Sequence, residues 1–397
     1  MKIRSLTVFQ IPVVLRKPVR HASHERSDNE TFLVRCELSD GAVGWGEGLP
    51  RTYVTGDSTA SSWRHFEAAR FSELRDAPWN SPDEAFRVIH SWHLSEVLPD
   101  PGISVRECFG NPVRCAVELS ILDAVCRSAS VSVSDVISRM PEFGTVTEQS
   151  EVVYYSGAVT SMSPRKQLLS ALKMRLFGFR QVKVKVGTEG VDDQGIMRRV
   201  RRIVGPRVDL RIDANEAWKP EEVADRMRPL LRYQPTSLEQ PVAHSEVAQL
   251  SEVRHHLGVP VMLDESLCCL EDGERAIQSQ WCDLFNIRLS KCGGLYRSAQ
   301  LAVLAKAHGL GYQLGCQVGE TGILSAAGRQ FACSIGGIRY LEGSFDRFLV
   351  REALTKEDLT FRYGGRAPRL KGPGLGMTVN ESTIRKIQVR EMPLIRP

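Results

Sequence analysis

From about Val152 onward, short apolar runs alternate with segments of helical periodicity. Each run is rich in apolar and β-branched residues and ends in polar residues, a pattern typical of a buried strand. The runs are VVYYSGAV, QVKVKVG, VDLRIDAN, TSLEQPV, VPVMLDESL, LFNIRLSKCGG, GYQLGCQVGE and RYLEGSF. Amphipathic segments such as DDQGIMRRVRRIVG and LYRSAQLAVLAKAHG lie between them. Eight strands that alternate with helices predict an α/β fold, a TIM-type (β/α)8 barrel.

The N-terminal part has a different pattern. TFLVRCELSDGAVGWGE alternates like paired strands, whereas NPVRCAVELSILDAVCRSA has a helical period. We expect an α+β capping domain over residues 1–145, completed by about residues 355–397, where KGPGLGMTV follows the last predicted strand. The barrel is expected over residues 150–350. A chain of 397 residues with 42% apolar composition is long enough for two such domains.

Composition narrows the class of protein. The formal net charge of +5 is small and evenly spread, so we expect no nucleic-acid partner. No apolar run approaches the roughly 20 residues that span a bilayer, and the N-terminal segment lacks the apolar core of a signal peptide. We therefore expect no membrane partner and a cytoplasmic location. The ten cysteines include no Cys-x-x-Cys motif, and we expect Cys268 and Cys269 to be reduced packing residues.

Polar residues end the predicted strands at a regular spacing. Equivalent positions on successive barrel strands converge at the C-terminal mouth, where the active sites of such barrels lie. The series recurs at intervals of 25 to 28 residues and comprises Lys185, Asp213, Glu239, Asp264, Lys291, Cys316 and Glu342. We therefore expect these side chains to meet in one site.

The lysines in this series indicate proton transfer. Lys183 and Lys185 are two residues apart on a strand, so both side chains point to the same face. Mutual repulsion and desolvation are expected to lower the pKa of one of them until it can act as a base. The alternative is a solvated pair on an exposed edge strand. Lys291 lies on the sixth strand, roughly across the barrel, and we expect one lysine base on each side of the substrate.

The carboxylates indicate a metal site. Asp213, Glu239 and Asp264 end three consecutive predicted strands. Hard oxygen ligands suit Mg²⁺, with Mn²⁺ as the alternative, although any one of these acids alone would favour a helix N-cap. Asn215 shares the inner face with Asp213 and is expected to orient a ligand, and Glu265 adds charge beside Asp264.

The ordered motifs resemble those of the enolase superfamily, specifically its muconate lactonizing enzyme subgroup. The resemblance implies that Asp213, Glu239 and Asp264 bind Mg²⁺, that Lys185 and Lys291 are the acid/base pair, and that Lys183 supports Lys185. The implied reaction is removal of the proton next to a substrate carboxylate to give an enolate. The motifs are Lys183-Val-Lys185, Asp213-Ala-Asn215, Glu239-Gln-Pro241, Asp264-Glu265 and Lys291-Cys-Gly-Gly294, with GAVGWGEGLPRTYVTGD, NPVRCAVELSILDA and GPGLGM in the capping domain.

Several outcomes share this chemistry. The resemblance implies a muconate-cycloisomerase-like isomerase, with o-succinylbenzoate synthase, N-acylamino acid racemase and dipeptide epimerase as alternatives. No histidine follows His308, which disfavours the mandelate-racemase type, and Leu341-Glu342-Gly343-Ser344 stands where dipeptide epimerases carry Asp-x-Asp. A non-catalytic barrel that binds a ligand is the competing class. A zinc hydrolase is disfavoured because the strand ends supply no histidine ligand.

Substrate specificity is expected from two capping segments, near residues 21–29 and 50–58, that close over the barrel mouth, and from the last two strands. Glu342 is expected to hold an amine, to donate a proton or to anchor a loop. We expect a small-molecule carboxylate substrate and a homo-oligomer. The candidate substrate-binding residues are Arg26, Arg51, Tyr53, Cys316, Gln317, Glu320 and Glu342, with His21 and His24 beside Arg26.

Overall fold

The computed structural model describes residues 1–20, 25–77, 79–160 and 163–397, and the side chains of residues 17–20 and 25–28 lie outside the description. The chain begins with three antiparallel strands followed by five helices. The strands are β1 (Ile3–Arg20), β2 (Glu25–Leu38) and β3 (Val43–Gly48), and the helices are α1 (Thr59–Ala68), α2 (Ser72–Asp76), α3 (Pro82–Ser91), α4 (Asn111–Ser128) and α5 (Val133–Arg139).

Close packing of α4 on β3 explains the glycines of the GWGEG strand. A Cβ atom on Gly46 would lie 2.0 Å from the backbone oxygen of Ala116, and one on Gly44 would lie 2.1 Å from the nitrogen of Ala124. Nearly every side chain of α4 is buried, and α4 contacts β2 and β3 as well as α3. Only glycine allows strand and helix backbones to approach this closely.

The central part of the chain alternates strands and helices. Its elements are β4 (Val152–Tyr154), β5 (Gly157–Val159), α6 (Pro164–Leu176), β6 (Gln181–Lys185), α7 (Asp193–Val204), β7 (Asp209–Asp213), α8 (Val223–Met227), β8 (Pro235–Glu239), α9 (Leu250–Val253), β9 (Val261–Leu263), α10 (Leu270–Gln278), β10 (Leu284–Ile287), α11 (Leu295–Ala307), β11 (Gly311–Leu314), α12 (Gly322–Ala332), β12 (Ile338–Leu341) and α13 (Asp346–Leu349). Strands β5 to β12 are parallel and neighbours in chain order. Beside β5, Ser156 N donates to Leu341 O at 2.8 Å, which joins the two ends of the sheet.

The C-terminal part adds β13 (Arg366–Pro368), α14 (Glu381–Ile387) and β14 (Arg390–Ile395). β14 pairs with β1, so that the N-terminal sheet has the order β14-β1-β2-β3. The predicted fold class, a (β/α)8 barrel with an α+β cap formed by both ends of the chain, is confirmed. The predicted boundaries at residues 145, 150, 350 and 355 stay predictions.

The first predicted barrel strand is two elements. Val152–Tyr154 forms β4, which pairs antiparallel with β13, and only β5 enters the barrel. The division between β4 and β5 depends on β13, which lies far along the chain, so a local sequence pattern does not reveal it. None of the described helices is long and apolar enough to cross a membrane.

Candidate active site

The C-terminal ends of the barrel strands bring the polar series together. In the parallel register, Lys185 lies opposite Asp213, which in turn lies opposite Glu239. Because side chains alternate along a strand, Lys183 shares the inward face with Lys185, and Arg211 shares it with Asp213. Adjacent strands therefore place an amine, then a carboxylate, then a second carboxylate along one edge.

A cavity of about 290 Å³ opens at this end of the barrel. Most of the predicted site residues line it, and so does Arg288, which was not predicted from the sequence. The predicted residues on its wall are Tyr53, Lys183, Lys185, Asp213, Asn215, Cys316, Gln317, Glu320 and Glu342.

Four of the other predicted residues lie off this wall. Glu239, Asp264, Glu265 and Lys291 are buried, with at most 2% of their surface exposed, and are not among the lining residues. The side chain of Arg26 lies outside the described set, as do residues His21 and His24.

Lys183 lies at the centre of an ion-pair network. Its Nζ is 3.1 Å from Asp213 Oδ2, 3.3 Å from Glu239 Oε1 and 2.9 Å from Glu342 Oε1. Burial acts to lower the pKa of Lys183, but these three carboxylates outweigh it and raise the pKa well above its ordinary value. Lys183 therefore stays a cation.

Lys185 has the opposite electrostatic balance. Burial lowers its pKa; the charge of Asp213 opposes this shift, and the Lys183 cation adds to it. The net shift is downward. Of the two lysines, Lys185 is therefore the one suited to act as a base.

Glu342 directly follows β12, the eighth barrel strand, and forms ion pairs with Lys183 and Arg211. Its Oε1 is 3.0 Å from a guanidinium nitrogen of Arg211, which is fully buried, donates to Gln313 and lies over the Tyr340 ring at 4.5 Å. Burial acts to raise the pKa of Glu342, but Lys183 and Arg211 lower it overall. The structure thus places Glu342 as a counter-ion for two cations. Arg211 was not predicted from the sequence, although strict alternation with Asp213 on β7 marks it as inward-facing.

The position of Lys291 contradicts its predicted place across the substrate from Lys185. Its Nζ donates to Asp264 O at 2.7 Å, to Asp264 Oδ1 at 2.9 Å and to Asn286 O at 2.8 Å. The residue lies in the turn beyond the end of β10 and is fully buried. Because β10 ends at Ile287, Lys291 no longer follows the strand direction and does not line the cavity.

Arg288 takes the place on the wall that was expected for Lys291. It directly follows β10, and alternation puts it on the same face as Asn286, whose amide donates to Glu239 Oε1 at 2.8 Å. Its guanidinium contacts Asp264 and lies 3.7 Å from Glu239 Oε1. The same alternation, applied to LFNIR in the sequence, identifies this residue.

The donor chemistry of the three predicted metal ligands fits Mg²⁺. Asp213 and Glu239 end β7 and β8, Asp264 follows β9, and all three carboxylates are buried. Within the described residues Asp213 Oδ2 accepts no hydrogen bond, although Lys183 lies beside it as a counter-ion. Lys183, Arg288 and Lys291 neutralise these acids here, and a bound divalent cation would replace part of that pairing.

A second group of possible ligands lies elsewhere. In the part of the chain that the structure describes, the one group of three or more potential ligands with all atoms within 4.8 Å of one another is Glu107, Cys269 and Asp272. Arg275 pairs with Glu107 at 2.9 Å and with Asp272 at 2.6 Å. These ion pairs account for the acidic cluster.

Two residues of the capping segment reach the barrel mouth in different ways. Tyr53 lines the cavity, whereas Arg51 is buried and donates to Pro50 O at 2.7 Å and to Val318 O at 2.8 Å. Arg51 therefore ties the capping segment to the loop after β11 and is not a lining residue. Among the lining acids, burial raises the pKa of Glu320 to about 8.

Curated relatives match the chain along nearly its whole length. N-succinyl-L-Arg/Lys racemase of Bacillus cereus is 26% identical over 98% of both chains. L-Ala-D/L-Glu epimerase of Bacillus subtilis is 28% identical over 95% of this chain and 97% of the relative. o-Succinylbenzoate synthase of the same organism is 22% identical over 97% and 96%.

Solved structures share the fold. Dipeptide epimerase from Cytophaga hutchinsonii, complexed with Mg and D-Ala-L-Val, has a TM-score of 0.81 at 20% identity and covers 99% of this chain and 100% of its own. Muconate lactonizing enzyme from Pseudomonas fluorescens, complexed with muconolactone, has a TM-score of 0.82 at 22% identity over 98% and 99%. The family described as "Enolase C-terminal domain-like" matches residues 167–383, and the chain therefore belongs to the enolase superfamily.

Proposed function

We propose that the protein removes the proton next to the carboxylate of a small-molecule substrate, with Lys185 as the base. The observation that carries this proposal is the difference between the two lysines on β6. Lys183 is a cation held by three carboxylates, whereas burial and the neighbouring cation lower the pKa of Lys185 on the cavity wall. An amine with a lowered pKa beside a fixed ammonium is the arrangement that favours proton abstraction.

In the proposed mechanism the substrate carboxylate binds at the strand ends beside Asp213, Glu239 and Asp264, which would hold the metal. Mg²⁺, when bound, supplies positive charge to the oxygens on which the enolate charge develops. Lys185 accepts the α-proton. Lys183 remains protonated and contributes a nearby positive charge, which adds to the effect of burial in lowering the pKa of Lys185.

For the substrate we propose an amino-acid-derived carboxylate, such as an N-acyl amino acid or a dipeptide. The names of the relatives at 26% and 28% identity support this class, since they act on N-succinylated amino acids and on a dipeptide. The muconate-cycloisomerase-like reaction stays a prediction, because the likeness to muconate lactonizing enzyme at 22% identity concerns the fold. The homo-oligomer and the cytoplasmic location also stay predictions.

Deuterium uptake tests the proposal. The protein is incubated in heavy water with Mg²⁺ and a panel of N-acyl amino acids, dipeptides, o-succinylbenzoate precursors and muconates, and mass spectrometry follows exchange and product formation. We expect exchange that EDTA removes, that added Mg²⁺ restores and that Lys185→Ala lowers at least about 1,000-fold. Lys166→Ala, an exposed lysine on α6, is the matched control and keeps the wild-type rate.

Two results contradict the proposal. Exchange that survives Lys185→Ala would remove the assigned base. A ligand that binds by calorimetry but shows neither exchange nor turnover with Mg²⁺ would favour the competing class, a barrel that binds without catalysing.

A further inference from the structure

The cavity has unlike cations on its two opposite walls. β6 and β10 are the second and sixth of the eight barrel strands in the order β5 to β12, so they lie four strands apart, on opposite sides of the barrel. Lys185 ends β6 and Arg288 directly follows β10, and both line the same cavity. A ligand between these strands therefore has an amine on one face and a guanidinium on the other.

Lys291 does not supply a second amine to this cavity. It is fully buried, and each of its three acceptors belongs to the strand ends around it, two of them being backbone carbonyl oxygens. Reaching the cavity would break all three charge-assisted hydrogen bonds that hold the buried Lys291 cation. The three bonds thus keep Lys291 in a structural position that supports Asp264.

We propose that proton transfer in this protein is confined to one face of the substrate, with Lys185 as the single acid and base and Arg288 as a fixed cation on the other face. The inference rests on the proposed function and adds its stereochemical outcome. A guanidinium stays protonated in proteins, so Arg288 neither accepts the α-proton nor delivers one. Its planar donors are suited instead to pair with a carboxylate or with the enolate oxygens.

Single-face chemistry excludes inversion at the α-carbon and, for the proposed amino-acid-derived substrate, allows two outcomes. In both, the Lys185 amine takes the α-proton, and the electron pair of the C–H bond enters the enolate. The Lys185 ammonium then either returns a proton to the same face, which regenerates the starting enantiomer, or protonates a leaving hydroxyl on the β-carbon. In the second case the C–O bond breaks, water leaves and a C=C bond forms, as in a syn dehydration. The outcome differs from that of a racemase or an epimerase.

The test uses separate enantiomers of each ligand that supports exchange, incubated in heavy water with the full-length protein and Mg²⁺. Chiral chromatography coupled to mass spectrometry follows both enantiomers and any dehydrated product. We expect the wild type to label or dehydrate one enantiomer, with less than about one inversion per hundred exchange events. Arg288→Met is expected to slow exchange about 100-fold without changing its stereochemistry, because one preorganised cation is lost.

Arg288→Lys is the informative variant, because it places an amine on the second face. We expect it to gain inversion, so that the opposite enantiomer appears at a rate at least about tenfold above the wild type. A residue with a merely structural role would not produce this gain. Lys291→Met, checked for folding by circular dichroism, is expected to leave the stereochemistry of any remaining exchange unchanged.

The outcomes separate this inference from the proposed function. If the wild type forms both enantiomers at rates close to that of exchange, the single-face inference is overturned while abstraction by Lys185 stands. Loss of that inversion in Lys291→Met, with its retention in Arg288→Met, would assign the second base to Lys291. If no ligand that binds shows exchange, the proposed function fails, and the inference fails with it.

Discussion

Replacing Glu47 by alanine tests how the capping domain is held on the barrel. Glu47 lies on β3 and is fully buried, and its carboxylate accepts hydrogen bonds from Thr321 N at 2.9 Å, Thr321 Oγ1 at 2.7 Å and Leu324 N at 3.0 Å. Thr321 is the N-cap of α12, and Leu324 lies in its first turn. One capping-domain carboxylate thus satisfies free donors at the start of a barrel helix, where a negative charge is also favoured.

The contacts set the expected magnitude. Glu47→Ala leaves two backbone N–H groups and a hydroxyl buried without their acceptor, and each unsatisfied donor costs about 1–3 kcal/mol. For the three donors we expect a loss of roughly 3–9 kcal/mol in the free energy of unfolding, a large part of the about 5–15 kcal/mol that a folded protein has. Glu47→Gln keeps the shape and one acceptor oxygen, and its expected cost is about half as large.

Urea unfolding followed by circular dichroism measures these differences. Glu37→Ala is the matched control in the same sheet, because Glu37 forms partly exposed ion pairs with Arg4 and Arg35 at 3.2 and 2.9 Å. Such pairs contribute about 0–1 kcal/mol. If Glu47→Ala is no more destabilising than this control, the assigned role of the buried carboxylate is refuted.

Three further predictions concern stability and substrate binding. Burial raises the pKa of Glu47 to about 7 and that of Glu118 to about 8, from 4.5, so the folded state retains protons that the unfolded chain has released. The stabilisation that these two protonated carboxyl groups provide is complete below about pH 4.5 and is lost as pH rises to about 8. Urea titrations should therefore give a lower free energy of unfolding at about pH 8 than at about pH 5.5, and the difference should be smaller in Glu47→Gln. A higher free energy of unfolding at about pH 8 would contradict this assignment. Gly46→Ala should destabilise the protein by about 3 kcal/mol or more in thermal unfolding, because the new Cβ would lie 2.0 Å from a backbone oxygen of α4. Gly328→Ala is the control and should not destabilise it, because the atom nearest to its new Cβ lies 3.7 Å away. Arg51→Ala removes the bond to Val318 O, and steady-state kinetics should show KM raised about tenfold with kcat little changed; an unchanged KM would argue against a role for this tether in shaping the cavity.

Arg288, which faces Lys185 across the cavity, shows which part of the site could be predicted from the sequence and which part could not. The repeated strand pattern locates the mouth of the barrel and its series of polar residues, because strand alternation and strand spacing are local properties of the chain. The regular spacing of the polar series and the Lys291-Cys-Gly-Gly294 motif predict Lys291 at the end of the sixth strand. The exact end of that strand decides the matter: β10 ends at Ile287, so Arg288 keeps the inward direction and Lys291 falls in the following turn.

By itself, the sequence determined the fold class, the family and most of the polar residues that meet at the mouth of the barrel, since periodicity and motif order are written along the chain. Only the tertiary structure decided how these groups are paired. Glu342 neutralises Lys183 and Arg211, Arg51 holds the loop after β11, and Glu47 caps α12. These contacts join residues that lie far apart in the chain, and they depend on side-chain directions and strand ends that are set only when the whole barrel and its cap pack together.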